Sequence, residues 1–417
     1  MRAAEALNTE HLSPFDVAAL FDGLAGFPSV AIAVSGGSDS VGLLRLVHDF
    51  NSPSDAFGVV SPVKGENGRT LVIALTVDHG LRLESVEEAA KVSQWCAALG
   101  IKHHVLRWEG VKPSTGIQAK ARAARYDLMS AFCTARGIAV LLTAHTMDDQ
   151  AETVVMRAAR TESVAARAGI WPETVWNGVK VMRPLLGTRR AALRQWLTEM
   201  GQPWIDDPSN EDTGFERVRV RQAMREADIA DLAALAEEAR FEAVRISDAA
   251  DRWTAVHVTQ HPESHFSFDK VQLLQQERLV RRAVFAKLVA RAGSGASLSV
   301  NELERLVGLL GTGGRRTLGG ALIAARLRDV IVVREAGRIA ADWVEVGKPG
   351  VLDWDRRFRI TAPPGSHVGP VLLAPGLIRC NGLAFYVHAA CPAVRLADGQ
   401  AVLAGNPDTP EIYMELL

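Results

Sequence analysis

The stretch SVAIAVSGGSDS, residues 29–40, joins a continuous apolar run to a glycine pair flanked by serines. The apolar half is typical of a buried β-strand, and the serine-rich half is typical of a turn that leads into a helix. Further along the chain, similar runs alternate with helical stretches. This alternation predicts a parallel sheet covered by helices on both faces, which binds ligands at the carboxyl ends of its strands. The further β-branched runs lie at 70–77, 101–108 and 138–145, and the helical stretches between the runs lie at 39–48, 84–99 and 117–136.

The glycine pair predicts a phosphate-binding turn. Gly36 and Gly37 let backbone amides approach phosphate oxygens without a side-chain clash, and the following helix directs its partial positive charge at the same anion. Asp39 would be out of place beside phosphate unless a divalent cation such as Mg²⁺ lies between them. The simpler alternative is a strand–turn–helix corner with a serine N-cap. Hydroxyl donors are available on Ser35, Ser38 and Ser40.

The chain changes character twice along its length. Residues 1–215 carry the alternation of strands and helices, which predicts a doubly wound parallel α/β domain. Residues 216–328 contain long Ala-, Glu- and Arg-rich segments that predict a helical domain. Residues 329–417 hold short alternating runs broken by Gly and Pro, which predict a small β-rich domain. The turn-forming segment 51–69 predicts an exposed loop before the second strand.

A polar group follows the second predicted strand. Asp78, His79 and Gly80 lie at the strand end, where a ligand would bind, and Ser85 follows shortly after them. A structural turn with Ser85 as a capping residue explains this group as well as a functional site does.

A second polar group, HTMDDQAET, follows the fourth predicted strand and enters a helix. Asp149 and Glu152 are spaced i,i+3, so their carboxylates project from one helical face and can hold an ammonium group, a metal ion, or both. Asp148 has a simpler explanation, because acidic residues in a first helical turn interact favourably with the helix dipole. His145 precedes this cluster, and we interpret it as a functional residue rather than a satisfied core histidine.

Arginines recur in three other segments. Arg122 and Arg125 lie on adjoining helical surface and could hold phosphate or a polynucleotide backbone, although a solvated face is the alternative. The segments 183–186 (RPLL) and 204–210 (WIDDPSN) precede RVRVR at 217–221, whose arginines would line one side if that segment were extended.

Composition excludes several classes of protein. The chain of 417 residues has 47 basic and 48 acidic side chains, so affinity for RNA would have to come from local patches. No apolar run approaches the roughly 20 residues of a membrane span, and the first residues lack an apolar signal core. These features predict a cytoplasmic protein without membrane contact. The cysteines show no CxxC pair and no zinc-ligand spacing, and we expect four buried thiols: Cys96, Cys133, Cys380 and Cys391.

Taken in order, SGGSDS, VDHGLRLES, QAKARAARYD, HTMDDQAET, RPLL, WIDDPSN and RVRVR resemble the tRNA(Ile)-lysidine synthetases, which are PP-loop ATP-pyrophosphatases. The resemblance covers roughly residues 28–225. It implies an adenine nucleotide alpha hydrolase-like fold and an enzyme that uses ATP and Mg²⁺ to adenylate the wobble cytosine of the isoleucine tRNA with a CAU anticodon. The ε-amine of L-lysine then displaces AMP and gives lysidine.

The resemblance also implies roles for single residues. Asp39 would lie near Mg²⁺, Asp149 and Glu152 would recognise lysine, and His145 would lie beside the reacting adenylate, so that Asp39, His145 and Asp149 form the catalytic group. The helical domain at 216–328 would bind tRNA, and the C-terminal region at 329–417 would contact its acceptor arm. The oligomeric state stays open, a homodimer included. Arginines that match positions close to nucleotide or tRNA are Arg122 and Arg217. The ATP cradle would comprise Ser35, Gly36, Gly37, Ser38, Asp39 and Ser40.

Two departures from the family pattern stand out. Val218 takes the place of the asparagine usual in an RNxxR pattern, and residues 160–163 (RTES) lack the usual glycine-rich sequence. A PP-loop tRNA thiolase is the nearest alternative, but it normally needs cysteines for sulfur relay or an iron–sulfur cluster. A GMP- or NAD-synthetase-like amidating enzyme would lack a reason for the helical extension. A catalytically inactive tRNA-binding protein would have no use for an intact SGGSDS and DDQAET.

Overall fold

The computed structural model describes residues 19–24, 26–51, 70–80, 85–110, 115–160, 163–207, 211–293, 295, 298–374, 377, 385–404 and 412–416. The chain divides into two compact units, Met1–Phe241 and Glu242–Leu417. No helix among the described residues combines the length and the apolar character that crossing a membrane requires. The predicted loop 51–69 lies outside the described residues except for Asn51, which ends a helix.

The first unit is built on one mostly parallel sheet. Its strands are β1 (Ser29–Ala33), β2 (Leu71–Asp78), β3 (Lys102–Arg107), β4 (Val140–Leu142), β5 (Glu173–Trp176) and β6 (Val179–Met182). Their order is β3–β2–β1–β4–β6–β5, and all neighbours are parallel except the hairpin pair β5 and β6. The predicted doubly wound α/β fold is therefore confirmed, with an added antiparallel strand at one edge.

Helices cover both faces of this sheet. Neighbouring residues of each buried strand point to opposite faces, so both faces are apolar and each needs a cover. Val30 and Ile32 of β1 pack with Leu43 in one apolar core, whereas Ala31 packs with Met129 in the core on the other face. The helices of the unit are α1 (Ser38–Asn51), α2 (Ser85–Ala98), α3 (Ile117–Ala135), α4 (Met147–Ala158), α5 (Val164–Arg167), α6 (Arg190–Glu199) and α7 (Glu216–Ala223).

The strand order reverses between β1 and β4, which lie side by side in the sheet with Val30 opposite Val140. In a doubly wound fold, ligands bind in the crevice outside the carboxyl ends of the strands at such a switch point. The turn 35–37 follows β1 directly, and α4 begins at Met147 shortly after β4. The two motifs with the most chemical content therefore open onto the same crevice.

The second unit begins with helices packed on a five-stranded antiparallel sheet in the order β7–β8–β11–β10–β9. Phe268, Phe285 and Leu288 belong to its apolar core. The elements are α8 (Asp228–His257), which starts before the boundary of the unit, then β7 (Thr259–Gln260), β8 (Phe266–Asp269), α9 (Lys270–Leu274), α10 (Arg278–Ala292), α11 (Val300–Thr312), β9 (Gly314–Leu318), β10 (Ala321–Ala325) and β11 (Asp329–Arg334).

Two smaller antiparallel sheets complete the second unit, in the orders β12–β15–β16–β17 and β13–β14–β18. Trp354, Phe358 and Val394 belong to one shared core, so the predicted β-rich character of this region is confirmed. The elements are β12 (Val344–Glu345), β13 (Val351–Trp354), β14 (Phe358–Thr361), β15 (His367–Pro370), α12 (Phe385–His388), β16 (Pro392–Arg395), β17 (Ala401–Leu403) and β18 (Tyr413–Leu416).

The helical prediction for 216–328 missed the strands β7 to β10 that lie within this range. Helix is also interrupted within one Arg-rich segment, because α9 ends at Leu274 and α10 begins at Arg278. The strands are short, and β9, with the sequence GRRTL, lacks a continuous apolar pattern. The division into domains 1–215, 216–328 and 329–417 stays a prediction.

Candidate active site

The turn between β1 and α1 forms a tight backbone cradle. Gly36 has a φ of +93°, and a Cβ atom there would lie 2.8 Å from Cδ1 of Ile205. The amide of Ile205 donates to the carbonyl of Gly36 at 2.9 Å, which fixes the turn against the segment after α6. Ser40 braces it from inside, since its Oγ accepts from the amide of Ser35 at 3.1 Å and donates to the carbonyl of Gly37 at 3.0 Å. Because the first amides of α1 have no acceptors within the helix, the cradle suits an anion.

Replacement of Gly36 by Ala is expected to lower the affinity for ATP by at least about tenfold. The added methyl group meets Ile205, and a left-handed φ also strains alanine by roughly 1–2 kcal/mol. The matched control is Gly26→Ala, because Gly26 has a similar φ of +97° but no atom within 4 Å of an added Cβ. Calorimetric titration with ATP should show a loss for Gly36→Ala alone. Equal affinities in the two variants would contradict a phosphate cradle at Gly36.

Helix α4 begins with a capping box that fixes the orientation of Asp149. The Oδ2 atom of Asp149 accepts from the backbone amide of Thr146 at 2.8 Å, and the Oγ1 atom of Thr146 accepts from the amide of Asp149 at 3.4 Å. The Oδ1 atom of Asp149 remains turned toward the crevice. Asp148 has a different task, since its Oδ2 atom accepts from the amide of Arg190 at 2.8 Å and so satisfies the first turn of α6.

Arg190 joins the turn after β1 to the acidic helix. Its Nε atom donates to Oδ2 of Asp39 at 2.8 Å, and its Nη2 atom donates to Oδ1 of Asp149 at 3.0 Å. The Nη1 atom lies 3.6 Å from Oε1 of Glu152. One guanidinium therefore contacts three carboxylates, which places all three within a single pocket. Arg194, one turn further along α6, donates from Nε to Oγ of Ser38 at 3.1 Å and adds positive charge at the turn.

Glu152 is fully buried and is held by two arginines of α7. The Nε atom of Arg217 donates to Oε2 at 2.6 Å, and the Nε atom of Arg221 donates to Oε1 at 2.7 Å. The RVRVR segment is not extended, because residues 216–223 form a helix. Helical spacing puts Arg217 and Arg221 on one face, whereas Arg219 points away and donates to the carbonyl of Thr213 at 2.7 Å.

Burial and neighbouring charges shift the pKa values of Asp39 and Asp149 in opposite directions. Burial raises the pKa of Asp39, and Arg190 only partly opposes this because Asp149 and Asp148 add negative charge nearby. Burial also disfavours ionisation of Asp149, but Arg190 and Arg217 outweigh it and lower the pKa of this carboxyl. Asp149 on α4 is therefore ionised, whereas the ionised form of Asp39 would be stabilised by a further cation.

His145 lies half-buried between β4 and the acidic helix. Its Nδ1 atom is 3.1 Å from Oγ1 of Thr143, which orients the ring. Burial lowers the pKa of His145 to about 3, and Asp149 opposes the shift. Three arginines lower this pKa further: Arg183, Arg122 and Arg217. The imidazole is consequently neutral at physiological pH and can accept or donate a hydrogen bond without carrying charge.

A neutral His145 predicts a specific pH response. Because its pKa is lowered, the ring should gain no proton as the pH falls from about 8 to 5.5, where an unperturbed histidine becomes charged. The Cε1 proton resonance, assigned by its loss in His145→Gln, is expected to keep its chemical shift over this range in NMR spectra. A titration midpoint near 6.5 would contradict the burial of this ring among cations.

The remaining predicted residues occupy different places. Arg122 is exposed, stacks over the ring of Tyr126 with its Cζ atom 5.1 Å from the centroid, and is close enough to His145 to affect its pKa. Arg125 contacts Nε2 of His79 at 3.3 Å instead. Asp78 accepts from the amide of Gly80 and from the hydroxyl of Ser85, both at 2.8 Å, which makes this group a structural turn. Residues 81–84 lie outside the described residues.

The surroundings of Val218 and Arg160 explain the two departures from the family pattern. Val218 is buried in α7, where an apolar side chain needs no hydrogen-bond partner. Arg160 pairs with Glu216 at the start of the same helix, and residues 161 and 162 lie outside the described residues. Of the cysteines, Cys96, Cys133 and Cys391 are buried free thiols as expected, and Cys380 lies outside the described residues.

Comparisons with known proteins identify the family of the chain. A family model described as a PP-loop domain matches residues 13–227. The tRNA(Ile)-lysidine synthase of Mesorhizobium japonicum is 35% identical over 358 residues, which cover 82% of this chain and 74% of that protein. The enzyme of the same name from Rhizobium meliloti is 34% identical over 363 residues, covering 79% of this chain and 72% of that protein. The chain belongs to the tRNA(Ile)-lysidine synthase family.

Membership in the tRNA(Ile)-lysidine synthase family makes the chain an ATP-dependent ligase with a PP-loop domain, as the sequence predicted. Among solved structures, the U34-tRNA thiolase NcsA from Methanococcus maripaludis with its [4Fe-4S] cluster matches with a TM-score of 0.43 and 16% identity. The match covers 54% of this chain and 77% of that one. This likeness is too low to support any statement about function.

Sequence reasoning did not identify Arg190 or Arg194 as site residues of this lysidine synthase family member. Their contacts with Asp39 and Ser38 join positions 151 and 156 residues apart along the chain. The available signal was their i,i+4 spacing directly after RPLL, which puts two cations on one helical face. That spacing alone does not distinguish an anion site from a solvated helix face.

Proposed function

We propose that the chain joins L-lysine to the wobble cytidine of the isoleucine tRNA with a CAU anticodon, with ATP cleaved to AMP and pyrophosphate through an adenylated cytidine. The observation that carries this proposal is the contact of Arg190 with both Asp39 and Asp149. This contact joins the turn after β1 to the acidic helix and so supports one site where an activated base and an amino group can meet. The names of the relatives support the same reaction.

The residues of the turn fit a nucleoside triphosphate with Mg²⁺. The cradle at Gly36 leaves no room for a side chain, and the start of α1 supplies amide donors for phosphate oxygens. Asp39 offers the hard oxygen ligand that Mg²⁺ prefers, and Mg²⁺ would neutralise phosphate charge there. Arg190 and Arg194 are the cations that would contact the same phosphates, because both already touch this turn.

The acidic helix fits an amine substrate. Only the Oδ1 atom of Asp149 is available to a ligand, since Oδ2 is held in the capping box. In this state Arg190 and Arg217 contact Oδ1 at 3.0 and 3.2 Å, and Arg217 also contacts Glu152. We infer that these guanidinium groups keep the carboxylates paired until the ammonium of lysine replaces one of them. Held by Asp149 and Glu152, the ammonium is oriented toward the base, and it attacks as the neutral amine after it has given a proton to one of these carboxylates.

The other residues favour an RNA substrate. Arg122 is exposed beside an aromatic ring, an arrangement that can contact phosphate or stack on a base. His145 is neutral and can hydrogen-bond the cytosine or its adenylate without adding charge. Three further points remain predictions: a cytosolic location, a homodimer, and a contact of the C-terminal region with the acceptor arm. Multi-angle light scattering tests the homodimer.

Nucleoside mass spectrometry tests the product directly. Unmodified isoleucine tRNA with a CAU anticodon is incubated with the protein, ATP, Mg²⁺ and isotope-labelled lysine, and methionine tRNA with the same anticodon serves as the control. The wobble cytidine of the isoleucine tRNA should gain the mass of lysine less one water, and the control should not change. A gain of sulfur in a parallel reaction supplied with sulfide would support a thiolase, and RNA binding without AMP release would support an inactive binding protein.

A further inference from the structure

A cluster of two histidines and a glutamate lies in the second unit, far along the chain from the residues of the candidate active site. The hairpin between β7 and β8 has the sequence HPESH, and one potential ligand atom from each of His261, Glu263 and His265 lies within 4.8 Å of the other two. We propose that this hairpin is a binding site for a divalent transition-metal ion, with Zn²⁺ as the expected occupant.

The backbone holds the three side chains together in advance. The amide of His261 donates to the carbonyl of His265 at 2.9 Å, and the amide of Ser264 donates to the carbonyl of His261 at 2.9 Å. Ser264 has a left-handed φ of +57°, which closes the turn. The two imidazole rings are stacked with centroids 4.0 Å apart and an interplanar angle of 1°. A preformed site of this kind needs little rearrangement to bind a metal ion.

An unpartnered buried nitrogen points into the cluster. His265 is only 3% exposed, and its Nδ1 atom has no hydrogen-bond partner among the described residues. The nearest carboxylate oxygen, Oε2 of Glu263, lies 3.6 Å away, which is too far for a hydrogen bond. Buried polar atoms in folded proteins are nearly always satisfied, so this nitrogen requires an explanation. A metal ion between Glu263 and His265 would provide one.

The second histidine has the support that metal-binding imidazoles usually have. The Nε2 atom of His261 is 2.7 Å from Oγ of Ser267, which leaves Nδ1 as its ligand atom and fixes the ring orientation. Two imidazoles with one carboxylate are typical zinc ligands, whereas Mg²⁺ and Ca²⁺ prefer oxygen alone. Tetrahedral ligands of zinc lie roughly 3.4 Å apart, so small side-chain rotations would complete the site and leave a fourth position open.

Metal titration of the tag-free full-length protein tests this proposal. Zn²⁺ should bind in competition with a chromogenic chelator, one ion per chain, with a dissociation constant below about 10 μM. Co²⁺ should give the intense visible absorption of a tetrahedral site. Zinc should also raise the melting temperature by at least about 3 °C. The decisive variants are His261→Gln and Glu263→Gln, since both residues are partly exposed and their loss should leave the fold intact.

Each variant is expected to weaken zinc binding by at least about tenfold and to abolish the thermal shift. The matched control is His367→Gln, which removes a half-buried histidine of the same unit outside the hairpin. Its affinity should equal that of the wild type. Wild-type affinity in His261→Gln and Glu263→Gln would overturn the proposal, as would the failure of the wild type to bind zinc below about 100 μM.

Discussion

Replacement of Asp39 by Asn is expected to lower the rate of ATP-dependent lysine incorporation by about 10²–10³-fold. The substitution keeps the size of the side chain but removes the charge that would hold Mg²⁺. It also removes the ion pair of 2.8 Å between Arg190 and Asp39, so that Arg190 keeps only its carboxylate partners on α4. Binding of tRNA should change little, since Asp39 faces the nucleotide cradle.

The control for Asp39 lies in the same helix. Asp49 is also half-buried in α1, but it pairs with His48 at 2.8 Å and with Arg45 at 3.4 Å rather than with any residue of the pocket. Asp49→Asn should keep activity within about twofold of the wild type. Activity of Asp39→Asn above about a tenth of the wild-type rate would show that this carboxylate does not serve the reaction.

Replacement of Glu152 by Gln is expected to raise the KM for lysine by at least about tenfold, with the KM for ATP changed by less than about threefold. Glu152 is fully buried, and its two oxygens accept hydrogen bonds from Arg217 and Arg221 at 2.6 and 2.7 Å. An amide cannot balance those charges, so the free energy of unfolding should also fall by about 1–3 kcal/mol. Initial rates measured well below the melting temperature separate these effects.

A second glutamate–arginine pair gives the control for Glu152. Glu216 pairs with Arg160 at the start of α7, but both side chains are exposed and neither contacts the pocket. Glu216→Gln should leave both KM values and the stability close to those of the wild type. If Glu152→Gln instead raised the KM values for ATP and lysine equally, Glu152 would be a structural anchor for α7 and not a ligand of the amine.

The sequence predicted those parts of the fold that depend on local signals. Continuous apolar strands and amphipathic helices identified β1 to β4 and the helices between them, because burial on both faces leaves a pattern in neighbouring residues. The glycine at position 36 identified the turn, because only glycine fits a positive φ beside Ile205. The short strands β7 to β10 carry no comparable signal, and they were missed.

Contacts between distant segments were the main limit of prediction. The carboxylates of Asp149 and Glu152 were expected in one place from their helical spacing, and the structure brings them together with Asp39 through Arg190. No local pattern indicates that Arg190 lies opposite Asp39. The RVRVR segment illustrates the same limit, since its spacing fits a strand as well as a helix. Pairing of Arg217 and Arg221 with Glu152 favours the helix.

The coupling of AMP release to lysine transfer is the most direct test of a single pocket at the switch point. A single-turnover reaction with ATP labelled in the α-phosphate, labelled lysine and the isoleucine tRNA measures both products in the same sample. One AMP is expected for each lysine joined to the wobble cytidine, with no AMP release beyond background without tRNA. AMP released in excess of joined lysine, or released equally without tRNA, would contradict a single pocket.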